Sequence, residues 1–146
     1  MKIDGTRAHD RAAELVLAYY AAFNRGDWAG MQALLTDDVA HDLNQGPRET
    51  GRPAFAAFQA RMARCYREQL RDVVVMASPD GARAAAEYVV HGSYLHADDG
   101  LPPAHGQSYV LPGGAFFELV VDAGGTARCA RVSNYYNLQD WLAQVA

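Results

Sequence analysis

A chain of 146 residues, half of them hydrophobic and 21% charged, has the length and composition of one globular domain with a single core, not those of a disordered tail. Thirteen basic against seventeen acidic residues leave a formal charge of -4, which removes the overall attraction to phosphate that supports nucleic-acid binding. The two cysteines, Cys65 and Cys129, lie far apart without CxxC or Cys-His spacing, so neither a disulfide framework nor a metal centre is expected.

The N-terminus, MKIDGTRAHDR, is polar where a secretory segment would be apolar. No run reaches the ~18 to 20 apolar residues that cross a bilayer, so the expected location is the cytoplasm, with no membrane partner. From Ala8 to Asn24, Ala12, Leu15, Val16, Tyr19, Ala22 and Phe23 recur at three- and four-residue steps and predict an amphipathic helix. Gly26 breaks it, Asp27 is a candidate N-cap, and Trp28, Met31, Leu34 and Leu35 mark a short second helix that Thr36 to Asp38 should end. A short strand is expected at Val39 to Leu43. Gly46, Pro47 and Gly51 then lead into a third helix from about Pro53, with Phe55, Phe58, Met62 and Cys65 at helical spacing.

Arg61, Arg64, Arg67 and Arg71 recur at about one helical turn and predict a solvated helix face. Beyond Leu70, β-branched and aromatic runs separated by SPDG, DDGLPP and DAGG predict a four-stranded antiparallel meander. Gly113 and Gly114 are expected to form a bulge that bends the sheet, and Trp141, Leu142 and Val145 a last helical turn. Helices first and sheet second imply one α+β domain over residues 1–146, its helices covering one face of a curved sheet. Such a sheet leaves an apolar cone in which a few polar groups would form a small-molecule site.

Asp42, between the strand start and Leu43, is the candidate pocket carboxylate; the competing reading is an acid that accepts backbone hydrogen bonds at a turn. If buried among aromatics, it would have a raised pKa and serve as a base toward a carbon acid. His41 would then face the other way. Asn134 shares strand parity with Tyr136 and brings an amide beside an aromatic ring. His91, His96 and His105 have no metal spacing.

The order helix, Gly-Asp, helix, short strand with Asp, Gly-rich turn, helix and four long strands resembles the nuclear transport factor 2-like superfamily over nearly the whole chain. Within it, the sequence is similar to the ketosteroid isomerase-related and polyketide cyclase (SnoaL)-like branch. Tyr19 stands seven residues before Gly26, as does the pocket tyrosine of the isomerases, and Asp42 stands nine before Gly51, as does their catalytic aspartate. The pair Tyr135 and Tyr136 resembles the family's last-strand aromatic pair, with Tyr136 inward. The family's second, protonated acid is replaced by Phe117, and Glu118 beside it should point to the opposite face.

The resemblance implies a cone-shaped pocket and a cofactor-independent enzyme of the isomerase, cyclase or dehydratase kind that accepts a small apolar carbonyl compound. Asp42 would take a proton α to the carbonyl, Tyr19 would donate to the oxygen, and Asn134 would be a second donor. Phe58, Phe117 and Tyr136 would enclose the substrate. A non-catalytic binding module and a protein-interaction domain of the same fold are the alternatives. A homodimer through the outer sheet face is expected, because long strands would otherwise expose an apolar patch.

Overall fold

The computed structural model describes residues 5–146, so part of the polar N-terminal stretch lies outside the described residues. Helix α1 spans Gly5–Asn24 and buries the predicted stripe of Ala12, Leu15, Val16, Tyr19 and Ala22, with Tyr20 beside it. Gly26 takes φ 72, a left-handed value that favours glycine, and Asp27 caps α2 (Trp28–Ala33) by accepting from the Gly30 amide at 2.9 Å. Thr36 to Asp38 do not merely end α2: they belong to β1, which runs from Leu35 to Leu43 and so starts before Val39. After the short β2 (Glu49–Thr50), Gly51 at φ 96 opens α3 (Arg52–Cys65), with Pro53 in its first turn.

The expected arginine face does not exist as one surface. Helix α3 stops at Cys65, and Tyr66 turns extended at φ -134, ψ 151 to begin β3 (Tyr66–Ala77). Arg61 and Arg64 are therefore helical while Arg67 and Arg71 lie on a strand; a spacing of three or four residues spans both without distinguishing them. Strands β4 (Arg83–Tyr94), β5 (Gln107–Val121) and β6 (Ala127–Tyr136) complete the predicted meander, and α4 covers Leu138–Val145. Among the described residues no helix is long and apolar enough to cross a membrane.

The sheet order is β2-β1-β6-β5-β4-β3, antiparallel except for the parallel pair β1 and β6. A register shift between Arg71 and Val74, with Asp72 at φ 55, interrupts β3, and another falls between Glu118 and Leu119. Gly113 and Gly114 are not the expected bulge, since they pair in unbroken register with Tyr88 and Glu87. Their role is steric: a Cβ at Gly113 would stand 2.9 Å from the Tyr88 ring, so its absence lets that ring lie across β5. Helices over the concave face of this sheet make the cone-shaped α+β fold of the nuclear transport factor 2-like proteins.

Candidate functional site

A cavity of about 810 Å³ opens between α1, α2, α3, the concave sheet face and α4. Its walls are largely aromatic, with Tyr19, Tyr20, Phe55, Phe58, Tyr88, Tyr136 and Trp141 among them, and this size and lining suit a small organic molecule. Glu49, Arg67 and Asp99 are among the ionisable groups of those walls, and three other places carry the partnered ones.

On one wall stands Glu68. Along β3 it alternates inward with Tyr66 and Leu70, and its carboxylate accepts from the Tyr109 hydroxyl at 2.5 Å. Glu68 pairs with Gly92 on β4, and Gly92 pairs with Tyr109 on β5. A Cβ on Gly92 would overlap the Tyr109 ring, so the glycine opens the path by which Tyr109 crosses a strand to reach the acid. Burial raises the carboxyl's pKa, and the tyrosine hydrogen bond lowers it only in part. Burial, with the charge of Glu68 adding to it, pushes the Tyr88 hydroxyl up to about 12.

A second wall carries His41, 2% exposed, with its ring edge-on to Phe55 at 5.0 Å and to Phe58 at 4.6 Å. Its Nε2 lies 3.1 Å from the Asn134 side-chain nitrogen, and its Nδ1 is buried without a partner. Burial lowers its pKa, which favours the neutral ring. At the third place, Asp98 accepts from the Tyr66 hydroxyl at 2.9 Å and faces Arg61 at 3.6 Å, while Arg61 lies over the Phe58 ring at 5.6 Å.

Of the residues expected at the site, Tyr19, Phe58, Asn134 and Tyr136 line this cavity. Phe117 does not; it is wholly buried in the core, edge-on to Tyr19 at 5.7 Å and to Tyr20 at 6.0 Å. Asp42 is also elsewhere. The inward row of β1 is Val39, His41 and Leu43, so Asp42 projects from the opposite face. There Arg48 grips its carboxylate with two hydrogen bonds, at 2.8 and 3.0 Å, and the Ser133 hydroxyl donates at 2.7 Å. The Arg48 contact, helped by Ser133, lowers the Asp42 pKa from 3.8 to about 2. The acid is thus a paired, strongly ionised group, the reverse of the desolvated base expected.

Two signals for the residues missed were present in the sequence. Val39 and Leu43 share parity with His41, not with Asp42, and the larger apolar residues of a strand mark its buried row. In YREQLR, Glu68 sits between Tyr66 and Leu70 in the same way, alternating with the more exposed Arg67, Gln69 and Arg71. Among the described residues no group of three or more His, Cys, Asp or Glu side chains could hold a metal ion.

A model of the SnoaL-like domain matches residues 16–128. Among solved structures, a Xanthomonas campestris protein provisionally named a polyketide cyclase is 62% identical, over 95% of this chain and 99% of that one, with a TM-score of 0.87. A Pseudomonas putida protein with the same provisional name is 60% identical, over 92% of this chain and 98% of that one, at 0.86. A Burkholderia xenovorans protein described as NTF2-like is 12% identical, over 94% of this chain and 98% of that one; its TM-score of 0.68 marks a likeness of fold alone. Comparison with curated protein sequences finds no match. The chain belongs to the SnoaL-like domain family.

Proposed function

We propose that the cavity is the active site of a cofactor-independent enzyme that moves a proton at a carbon beside the carbonyl of a mostly apolar compound, in an isomerase, cyclase or dehydratase reaction. Glu68, not Asp42, is the proton-transferring group in this reading. One observation carries it: a carboxyl set in an aromatic-walled cavity, oriented by Tyr109, with its pKa raised by burial. Desolvation makes the carboxylate a stronger base, and exclusion of water strengthens its interactions. Transfer of the proton from carbon leaves charge on the substrate oxygen. The hydroxyls of Tyr88 and Tyr19, both of which stay protonated through burial, are the donors that would meet that charge.

The test is deuterium uptake, followed by proton NMR, at the carbon beside the carbonyl in a panel of cyclic ketones that includes 2-tetralone. The protein should accelerate exchange above buffer for at least one of them, and Glu68→Gln should reduce that acceleration by ~100-fold or more. Equal exchange by the Glu68→Gln protein would remove the acid from the reaction.

A further inference from the structure

Asn24 is the last residue of α1, and its side chain reaches across to β3. Its Nδ2 donates to the Leu70 carbonyl at 2.9 Å, and its Oδ1 accepts from the Leu70 amide at 2.8 Å. The backbone settles which way the side-chain amide faces, because an N–H must meet its oxygen and a C=O its nitrogen. A third bond comes from the Gln69 side chain, whose Nε2 donates to the Asn24 carbonyl at 2.8 Å. Three hydrogen bonds thus join the end of α1 to two adjacent residues of β3.

The position of this joint matters for the cavity. Strand β3 is an edge of the sheet and pairs only with β4, and that pairing breaks between Arg71 and Val74, just beyond Leu70. A strand with one neighbour and a register shift has little to stop it from slipping. A slip of one residue would carry Glu68 from the cavity to the opposite face. Asn24 takes the place of the missing neighbour at Leu70, which lies two residues from Glu68 in the same row of the strand. On the other side of the joint, α1 carries Tyr19, which lines the cavity as Glu68 does.

We infer that Asn24 is a positioning residue for the proton transfer: by tying α1 to β3, it holds the acid, Glu68, and the hydroxyl donor, Tyr19, in one fixed relation across the cavity. This deepens the reading that Glu68 transfers a proton, and it rests on that reading for the chemistry. No bond is made or broken at Asn24. Its contribution is alignment, to which the rate of transfer between held groups is steeply sensitive.

The experiment replaces Asn24 by Ala in the full chain, with Asp122→Ala as the control. Asp122 accepts from the Gly124 and Thr126 amides at 2.9 Å each, in a turn that does not line the cavity, so its loss also removes two hydrogen bonds to backbone. The first readout is a carbon-NMR titration of Glu68. Burial is the larger influence on that carboxyl and the Tyr109 hydrogen bond the smaller, so freeing β3 should lower its pKa toward the ordinary 4.5. Asp122→Ala should leave the titration unmoved. The second readout is deuterium exchange at the carbon beside the carbonyl of 2-tetralone. Asn24→Ala should reduce kcat by ~10-fold with KM within about two-fold of wild type. In a Glu68→Gln background it should make no further difference.

Gln69→Met removes one of the three bonds and keeps the length of the side chain, so it should move both readouts in the same direction by less. It keeps the inference open to test if Asn24→Ala does not fold. An unmoved Glu68 titration in a folded Asn24→Ala protein, an equal shift in Asp122→Ala, or a loss of rate carried by KM instead of kcat would each overturn it. The titration does not depend on turnover. A shifted titration with exchange indifferent to Glu68→Gln would sink only the proton-transfer reading, whereas Glu68-dependent exchange with an unmoved titration would sink this inference alone.

Discussion

Tyr109 reaches Glu68 across β4 only because Gly92 stands between them. The hydroxyl donates to the carboxylate at 2.5 Å, and a side chain at position 92 would occupy the space of the phenol ring. The substitution Gly92→Ala should therefore displace Tyr109, at a cost of about 1 to 3 kcal/mol in stability for an overfilled site. It should also raise the pKa of Glu68 further, because the hydrogen bond that favours the ionised form is lost. Tyr109→Phe should reproduce the pKa change without the steric cost. A carbon-NMR titration of Glu68 in both variants, beside chemical denaturation, separates the two effects; an unmoved Glu68 titration would detach Tyr109 from the acid.

The raised pKa of Glu68 fixes the sign of two pH dependences. As a base, the carboxylate must be ionised, so exchange at the substrate carbon should rise with pH through a value above the ordinary 4.5 and then level off. For folding, a raised pKa means that the native state keeps a proton which the unfolded chain has already released. The stability from this group is complete below 4.5 and is lost as pH rises through the folded pKa. Glu68→Gln should flatten both profiles. A rate that falls with pH over the same range would mean that Glu68 acts as an acid.

How far the sequence carried the structure differs from element to element. The three- and four-residue spacing in α1 and the β-branched runs of β4 to β6 depend on local pattern, and both were legible. The junction at Cys65 was not, because arginines three or four apart fit a helix and also scatter unremarked along a strand. The count back from Gly51 points to Asp42, whereas the parity of Val39 and Leu43 points to His41. The roles of Gly92 and Gly113 could not be read at all. Each depends on which residue stands opposite on a neighbouring strand, and register is a property of the assembled sheet.

Asp42 should matter for stability, not for the chemistry of the cavity. Its pKa is lowered from 3.8 to about 2 by Arg48 and Ser133, so its contribution is present above 3.8 and is lost as pH falls through about 2. With the side chain 24% exposed, screening by water discounts that contribution to roughly 1 kcal/mol. Asp42→Asn should lower unfolding stability by that amount at pH 7 and by much less near pH 2, with ketone exchange within about three-fold of wild type. A hundred-fold loss of exchange in a well-folded Asp42→Asn protein would restore the aspartate to the mechanism.

The same outer face bears on assembly. Val74 and Met76 of β3, Phe116 of β5 and Tyr135 of β6 are about half exposed, and the Phe116 and Tyr135 rings pack edge-on at 5.6 Å. Between these apolar groups, Asp42 is paired with Arg48, and Glu118 with Arg131 at 3.3 Å and Arg83 at 3.7 Å. Because Asp42 and Glu118 are already paired, covering them leaves neither as an isolated ion, so the desolvation that opposes their burial is reduced. A second copy of the chain supplies the same apolar groups and paired charges under two-fold symmetry, and a closed pair leaves no further face to extend. We therefore predict a homodimer at micromolar concentration in sedimentation velocity. Phe116→Glu, which adds an unpaired charge at the centre of the patch, should convert it to a folded monomer while the cavity still binds 2-naphthol. A wild-type protein that sediments as a monomer would show that this face stays open to water, and a Phe116→Glu protein that remains a dimer would place the contact elsewhere.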